Sequence, residues 1–310
     1  MDRRLLLAAL ALALLPQAPA FAEDDPMALR PRVFASSDAD GNETWKTSLG
    51  WDWTRTDREH WTGVDVEHAR YSGDHWSHSE QRAYLNAGGT LGAGETTDDT
   101  WRWQARVGSN GDDLIGSASL HTEGEHRREL FIERDLLETR DGTGLGRMST
   151  FAGAAIDRPL GGRLSGTLLA GLQDFGDDNL RTHLRGNLVH ALVPEQGLSL
   201  QLRTRYYRNS EPRAGDYYSP DWYGEALGVL ALRRVIGGYT WRAAAGIGRQ
   251  RSADDDWKRA RMLQVGLETP RWKQSWLRLD AGYSDTPVAT STGTGSYSYR
   301  YLMLEAVTAF

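Results

Sequence analysis

The chain has no cysteine. Neither a disulfide framework nor a thiolate metal centre can therefore carry its stability or its chemistry. It also lacks a long hydrophobic run. The longest, residues 5–15, falls short of the ~20 residues that a membrane-spanning helix needs. There is no basic block either: 36 Lys and Arg stand against 42 Asp and Glu, a net charge of −6, so nucleic acid is not an expected partner. Apolar residues at i, i+3, i+4 recur nowhere for long, which argues against a helical domain. Hydrophobic residues make up only 39% of the 310, and the mean hydropathy is −0.56.

What is present resolves that shortage. The chain has 12 Trp, 12 Tyr and 34 Gly but only 6 Phe. A transmembrane β-barrel accounts for this balance. Lipid meets one side of each strand, so the other side can stay polar, while Trp and Tyr belong in belts at the two interfaces. Closing the sheet satisfies the backbone groups that the bilayer would otherwise strand. Residues 1–22, "MDRRLLLAALALALLPQAPAFA", place Arg3 and Arg4 before the apolar run and end on Ala20-Phe21-Ala22. This is the pattern of a secretory signal peptide, leaving 23–310 as the barrel domain.

Alternation with a period of two recurs along the chain. "WKTSLGWDW" sets Trp45, Leu49, Trp51 and Trp53 against Lys46 and Asp52; "QRAYLNAGGTL" sets Leu85 and Leu91 against Arg82, Tyr84 and Asn86. "WRWQARV" opposes Trp101, Trp103 and Val107 to Arg102, Gln104 and Arg106. "LSLQLRTRY" opposes Leu200, Leu202 and Tyr206 to Gln201, Arg203 and Arg205, and "YTWRAAAGI" opposes Tyr239, Trp241 and Ile247 to Arg242. Arginine alternating with Leu or Trp fits strands with lipid outside and water inside. Strand centres fall near 33, 49, 65, 85, 104, 117, 131, 152, 168, 186, 202, 228, 244, 264, 280 and 304. The expected fold is all-β, an antiparallel transmembrane barrel of about sixteen strands. Fourteen remain possible, because 55–80 and 108–145 are weakly patterned.

The connections sort into two kinds. Short Pro- and Gly-rich turns at 158–163, 193–197, 235–238 and 270–275 are expected on the periplasmic side. The connections at 38–43, 174–179, 209–221, 252–258 and 284–296 are generally longer and more acidic, and are expected outside. The last strand runs to Phe310 and should pair with the first to close the barrel.

From about Glu129 onward, "ELFIERDLLET", "GLQDFGDDNLRTHLRGNLVHAL", "GLSLQLRTRYYRNSEPRAGDYYSPDWY" and "YRYLMLEAVTAF" resemble the C-terminal barrel of exopolysaccharide-export outer-membrane porins, of the poly-N-acetylglucosamine export and cellulose-secretion type. Phe175, Asp178, Asn179 and Arg181, then Tyr217-Tyr218-Ser219-Pro220 and Tyr223, carry the likeness. It implies a sixteen-stranded barrel in the Gram-negative outer membrane that passes a growing glycan chain. The terminal Phe310 likewise resembles the signal read by the barrel assembly machinery. Those porins carry a periplasmic array of tetratricopeptide repeats that is missing here, which implies a separate periplasmic protein to deliver the polymer.

Candidate lumen residues are Arg102, Arg106, Arg181, Arg185, Arg203, Arg205 and Arg242, with Glu129, Glu133, Asp135, Glu225 and Asp280 to face them. They would form either a selective constriction or a charge-balanced ladder that holds the barrel round. "GDYYSPDWY" offers Tyr217, Tyr218, Trp222 and Tyr223 for stacking on sugar rings, with Asp216 and Asp221 as hydroxyl acceptors; the alternative is a loop packed on itself. His75 and His78 lack a third metal ligand, and "GTGLG" at 142–146 reads as a turn. No cofactor is expected and no nucleophile motif points to an enzyme. The expected activity is a polysaccharide-conducting pore. The alternatives are an accessory barrel with a side-chain-plugged lumen and a lipid-modifying enzyme.

Overall fold

The computed structural model describes residues 26–92, 100–287 and 297–310. The expected signal peptide and most of 284–296 lie outside the described residues. Sixteen strands run in chain order: β1 (Ala28–Asp38), β2 (Glu43–Arg55), β3 (Trp61–Gly73), β4 (Trp76–Leu91), β5 (Trp101–Ser109), β6 (Leu114–Thr122), β7 (Arg128–Leu136), β8 (Met148–Gly161), β9 (Leu164–Asp174), β10 (Leu180–Val193), β11 (Leu198–Asn209), β12 (Trp222–Ile236), β13 (Tyr239–Ser252), β14 (Lys258–Glu268), β15 (Trp276–Ser284) and β16 (Tyr299–Ala309). Each strand is antiparallel to its chain neighbours, and β16 closes on β1. Every expected strand centre falls inside one of them, the weakly patterned stretches included, so the count is sixteen rather than fourteen.

Closure follows from the register. Ala28 pairs with Ala309 and Asp38 with Tyr299, and Met27 and Phe310 add two backbone bonds of 3.1 and 2.9 Å beyond the last strand pair. Among the described residues no sheet edge is left open, which is the condition for a sheet to sit in hydrocarbon.

Alternation holds on both faces. Leu49 and Trp51 are 51% and 44% exposed on the outer wall, while Asp52 between Trp51 and Trp53 is fully buried. Leu85 is 64% exposed, and its neighbours Tyr84 and Asn86 are buried. Outward Trp51, Trp53, Trp101, Trp103, Tyr239 and Trp241 sit near the end that carries both termini, as an interfacial belt requires.

That terminal end also carries the four short turns at 158–163, 193–197, 235–238 and 270–275. Gly237 and Gly238 take φ of 59° and 83°, the left-handed pair of a two-residue hairpin turn, which glycine adopts without strain. The two-kind rule for connections breaks in the first half of the chain. There β3 and β4 are joined at the loop end by only Asp74 and His75, whereas β4 and β5 are separated by residues 92–100 at the terminal end.

Among the described residues the loop end holds one short helix, α1 (Arg140–Leu145), between β7 and β8. Thr139 caps it by accepting from the Gly142 N–H at 3.1 Å, and Gly146 closes it in a left-handed conformation. The "GTGLG" stretch is thus most of a helical turn with its C-cap, not a simple turn. The interior is not uniformly polar either. Leu227, Val229, Ala244, Ala260 and Met262 form a buried apolar cluster facing inward from β12, β13 and β14.

Candidate functional site

The lumen brings most of the expected charged residues to one interior, but in two unequal halves. On the wall from β1 to β5, alternation points Arg30, Arg32, Asp52, Asp65, Glu67, Arg82 and Arg106 inward, a bulge between Asp52 and Thr54 turns Arg55 inward as well, and together they form a continuous ion-pair network. Asp52 bridges Arg30 at 2.8 Å and Arg55 at 2.7 Å. Asp65 holds Arg30 at 2.9 Å and Arg106 at 3.1 Å. Glu67 gathers Arg32, Arg82 and Arg106 at 3.0, 3.3 and 3.2 Å. Arg106 also lies over the Tyr84 ring. The network then leaves the wall and reaches β7: Asp135 accepts from Arg82 at 2.8 Å and from Lys46 at 3.1 Å, and Lys46 meets Glu138 at 2.7 Å. Each buried charge is paired, as low-dielectric burial demands.

The β9–β11 side differs. Arg185 and Arg203 face the lumen with no carboxylate within 4.0 Å among the described residues. Arg203 instead donates to Gln201 Oε1 at 2.9 Å and to Gln264 Oε1 at 3.3 Å. Arg205 reaches Glu225 at 3.6 Å. Arg181 is buried between the rings of Phe175 and Tyr207, 4.6 and 4.5 Å from their centroids, and donates to the Tyr218 carbonyl. Arg242 meets Glu268 at 3.7 Å and Asp280 at 3.5 Å. Arg102 pairs with Glu59 at 2.7 Å and with Glu123, and Glu129 pairs with Arg127 at 2.8 Å. Glu133 lines two lumen cavities of about 300 and 380 Å³, the first with Arg30 and Arg106, the second with Lys46 and Arg185.

The six residues expected to offer a saccharide platform do not form one open surface. Tyr217 is 4% exposed; its ring stacks on Phe175 at 4.2 Å, and its hydroxyl donates to Asp177 and accepts from Asn179. Burial pushes the Tyr217 phenol well above its ordinary pKa, with the Asp177 carboxylate adding to the rise. Tyr223 is 1% exposed and stacks on Tyr207 at 4.9 Å inside the barrel. Tyr218 is buried against Tyr223 and Tyr297. Asp216 is occupied at the start of α1, accepting from Thr139 Oγ1 and the Asp141 N–H, both at 2.6 Å. Trp222 faces outward by alternation with Tyr223, and Asp221 pairs with Arg208 at 3.4 Å. The platform is therefore corrected: the loop packs on itself and on its neighbours, because its ring faces are used up by other rings.

These loop contacts bridge the mouth at the loop end. The hydroxyl of Tyr297, beside β16, meets the Tyr218 hydroxyl at 3.1 Å. The β11–β12 loop continues through Tyr217 to Phe175 and Leu137, and through Asp216 to α1, which contacts β4. Sequence reasoning missed Arg30, Arg32, Arg55, Asp65 and Glu67 as lumen residues; the signal was alternation in "GVDVEHARY" for Asp65 and Glu67 and in "LRPRV" for Arg30 and Arg32, whereas a bulge between Asp52 and Thr54 brings Arg55 inward out of phase. Among the described residues no group of three or more metal-ligating side chains is found.

No protein-family model matches the chain, and no curated protein matches it in sequence. Solved structures do. A bacterial polysaccharide outer membrane secretin superposes with a TM-score of 0.65 at 13% identity, over 93% of this chain and 100% of that one. OccK5 (OpdH) of Pseudomonas aeruginosa gives 0.44 at 13% identity over 94% and 100%, and OmpT of Vibrio cholerae gives 0.42 at 9% over 94% and 100%. What the chain shares with the first of these is its fold, a closed antiparallel barrel of the outer-membrane type.

Proposed function

We propose that the chain is a pore of the Gram-negative outer membrane that conducts or exports an extracellular polysaccharide, with the loop end outside. The carrying observation is the closed sixteen-strand wall, apolar outward and charged inward, in which one side of the lumen keeps arginines without carboxylate partners. Guanidiniums lining a wet passage suit a hydroxyl-rich or anionic chain, because each fork donates several hydrogen bonds. The polymer itself is inferred from the polysaccharide secretin that shares the fold. Delivery to the barrel would fall to a separate periplasmic protein, and insertion to the assembly machinery. We assign it no enzymatic activity and no cofactor.

A second proposal is an accessory barrel with a closed lumen. It is favoured by the Lys46–Asp135 and Arg82–Asp135 pairs that cross from β2 and β4 to β7, and by the bridged mouth. Single-channel recording on folded barrel in planar bilayers separates the two. An open pore should pass current with preference for anions, and a soluble anionic oligosaccharide should block it more strongly than a neutral one. Absence of current from correctly folded protein would rule out the pore in favour of the closed barrel.

A further inference from the structure

Charge on the lipid-facing wall of a barrel is costly near the midplane and tolerated near the interfaces. Toward the loop end of β13 and β14, Arg249, Arg251, Arg259 and Arg261 all point outward and all are exposed. Their direction is set by alternation. Gln250 and Ala260, which lie between them in sequence, are 2% and 1% exposed inside, whereas Ile247 and Leu263 on the arginine face are 73% and 52% exposed.

The four do not neutralise one another. Arg249 and Arg259 are directly opposite in register, and like charges so placed repel. Arg261 is held by Asp285 at 2.7 Å. Among the described residues Arg249, Arg251 and Arg259 have no carboxylate within 4.0 Å. Just toward the midplane lies an open apolar cleft of about 670 Å³, whose lining includes Leu200, Leu230, Ala245, Ile247, Leu263 and Tyr283. Its floor is low because outward Gly228 and Ala245 carry little or no side chain. Arg261 lines its upper margin, so cations and cleft are continuous.

We propose that this face binds a phosphorylated, acylated glycolipid of the outer leaflet, lipid A, with phosphate on the arginines and an acyl chain in the cleft. The proposal rests on placing the barrel in the outer membrane with its loop end outward. Charge complementarity selects the headgroup: guanidinium forks pair with phosphate oxygens two at a time, and a shared phosphate turns the Arg249–Arg259 repulsion into bridging. The cleft selects a lipid over a free anion, since inorganic phosphate has nothing to place there.

The test uses the full barrel in detergent micelles, with binding read by native mass spectrometry and stability by heat-modifiable migration. The ligands are bisphosphorylated lipid A, its phosphate-free counterpart and inorganic phosphate. Wild type is compared with R249Q/R259Q and with R70Q, which removes an exposed outward arginine of β3 far from the cleft. Wild type should bind bisphosphorylated lipid A about tenfold or more tightly than the phosphate-free lipid, a preference lost in R249Q/R259Q and kept in R70Q. Without lipid, R249Q/R259Q should be at least as stable as wild type, because a repulsion is gone; with lipid A the order should reverse. Equal binding of the phosphate-free lipid, unchanged binding by R249Q/R259Q, or displacement of lipid A by equimolar inorganic phosphate would each overturn the proposal. A barrel that binds lipid A but carries no current would refute the pore and leave this inference standing.

Discussion

Leu202 and Arg203 are neighbours on β11 that stand on opposite faces of the wall, so they test its register directly. Leu202 is 46% exposed on the outer face; Arg203 lines a lumen cavity of about 350 Å³ with Gln201, Arg242, Gln264 and Asp280. Leu202→Arg sets a guanidinium against hydrocarbon, at a cost of about 2–4 kcal/mol near the midplane. Arg203→Glu gives up the 2.9 Å bond to Gln201 and the longer one to Gln264. Lumen water and the nearby Arg205, Arg233 and Arg242 solvate the new carboxylate, so the net loss should stay near 0–1 kcal/mol. The difference, roughly 1–4 kcal/mol, is about one to three decades in the ratio of folded to unfolded barrel. Arg205 is the poorer site, because its partner Glu225 would face a second carboxylate. Urea titration in liposomes, read by heat-modifiable migration, gives the stabilities, and the reversal potential of Arg203→Glu should move toward cations. If Leu202→Arg folds normally while Arg203→Glu does not, the register is off by one residue and every lumen assignment on β11 falls with it.

Deleting Phe310 removes the two backbone bonds to Met27 that extend the β1–β16 seam, so insertion should slow, measured as the fraction of heat-modifiable barrel over time at low expression; equal rates would refute a role for that residue. Trypsin added to intact cells should cut after Arg213, whose side chain is 78% exposed at the loop end, and spare Arg163 at the terminal end; the opposite pattern inverts the proposed orientation. Asp255, in the β13–β14 loop, is pushed up by burial, but hydrogen bonds from Tyr297 at 2.6 Å and Lys258 at 2.9 Å outweigh this and hold its carboxyl below the ordinary 3.8. A depressed carboxylate stabilises above the unfolded pKa and loses that contribution as pH falls through the folded one, so the Tyr297 contact should loosen only below about pH 4. Asp255→Asn should abolish that acid step in amide exchange at Tyr297; an unchanged step would mean that another group controls it.

Which face a strand residue takes was legible wherever one face is polar and the other is not. Lys46 against Trp45, Arg82 against Leu85 and Arg203 against Leu202 all fall where a period of two places them. Partners were not legible. Lys46 meets Asp135 across 89 residues, and no local spacing encodes which inward residues share a height in a closed barrel. The apolar lumen patch was hidden for a different reason: "EALGVLALRRV" is apolar on both faces, so alternation marks a strand there without saying which side is in. Beyond Asn209 the period ends with the strand, and nothing in "GDYYSP" dictates whether Tyr217 and Tyr218 turn to solvent or to Phe175 and Tyr297. Trp222 and Tyr223 are another matter. They are adjacent in β12, so they could never have shared a platform.

The outward arginines show how composition and alternation can disagree, and which should prevail. Arginine spaced by two along a barrel strand suggests the lumen, since water there solvates it and lipid does not. Yet in β13 the residues in phase with Arg249 and Arg251 are Trp241, Ala245 and Ile247, while Arg242 and Gln250 share the other phase. A strand cannot change phase without a bulge, and the β12–β13 and β13–β14 registers run through without one. Phase therefore fixes Arg249 and Arg251 outside, whatever their chemistry prefers. Arg251 lies over the Trp222 ring, 5.9 Å from its centroid, but Arg249 stands opposite Arg259 with no carboxylate within 4.0 Å among the described residues, a local cost that the strand does not remove. A cost of this kind on a regular strand points to something outside the chain that meets it, for which we propose the anionic headgroups at the rim of the membrane.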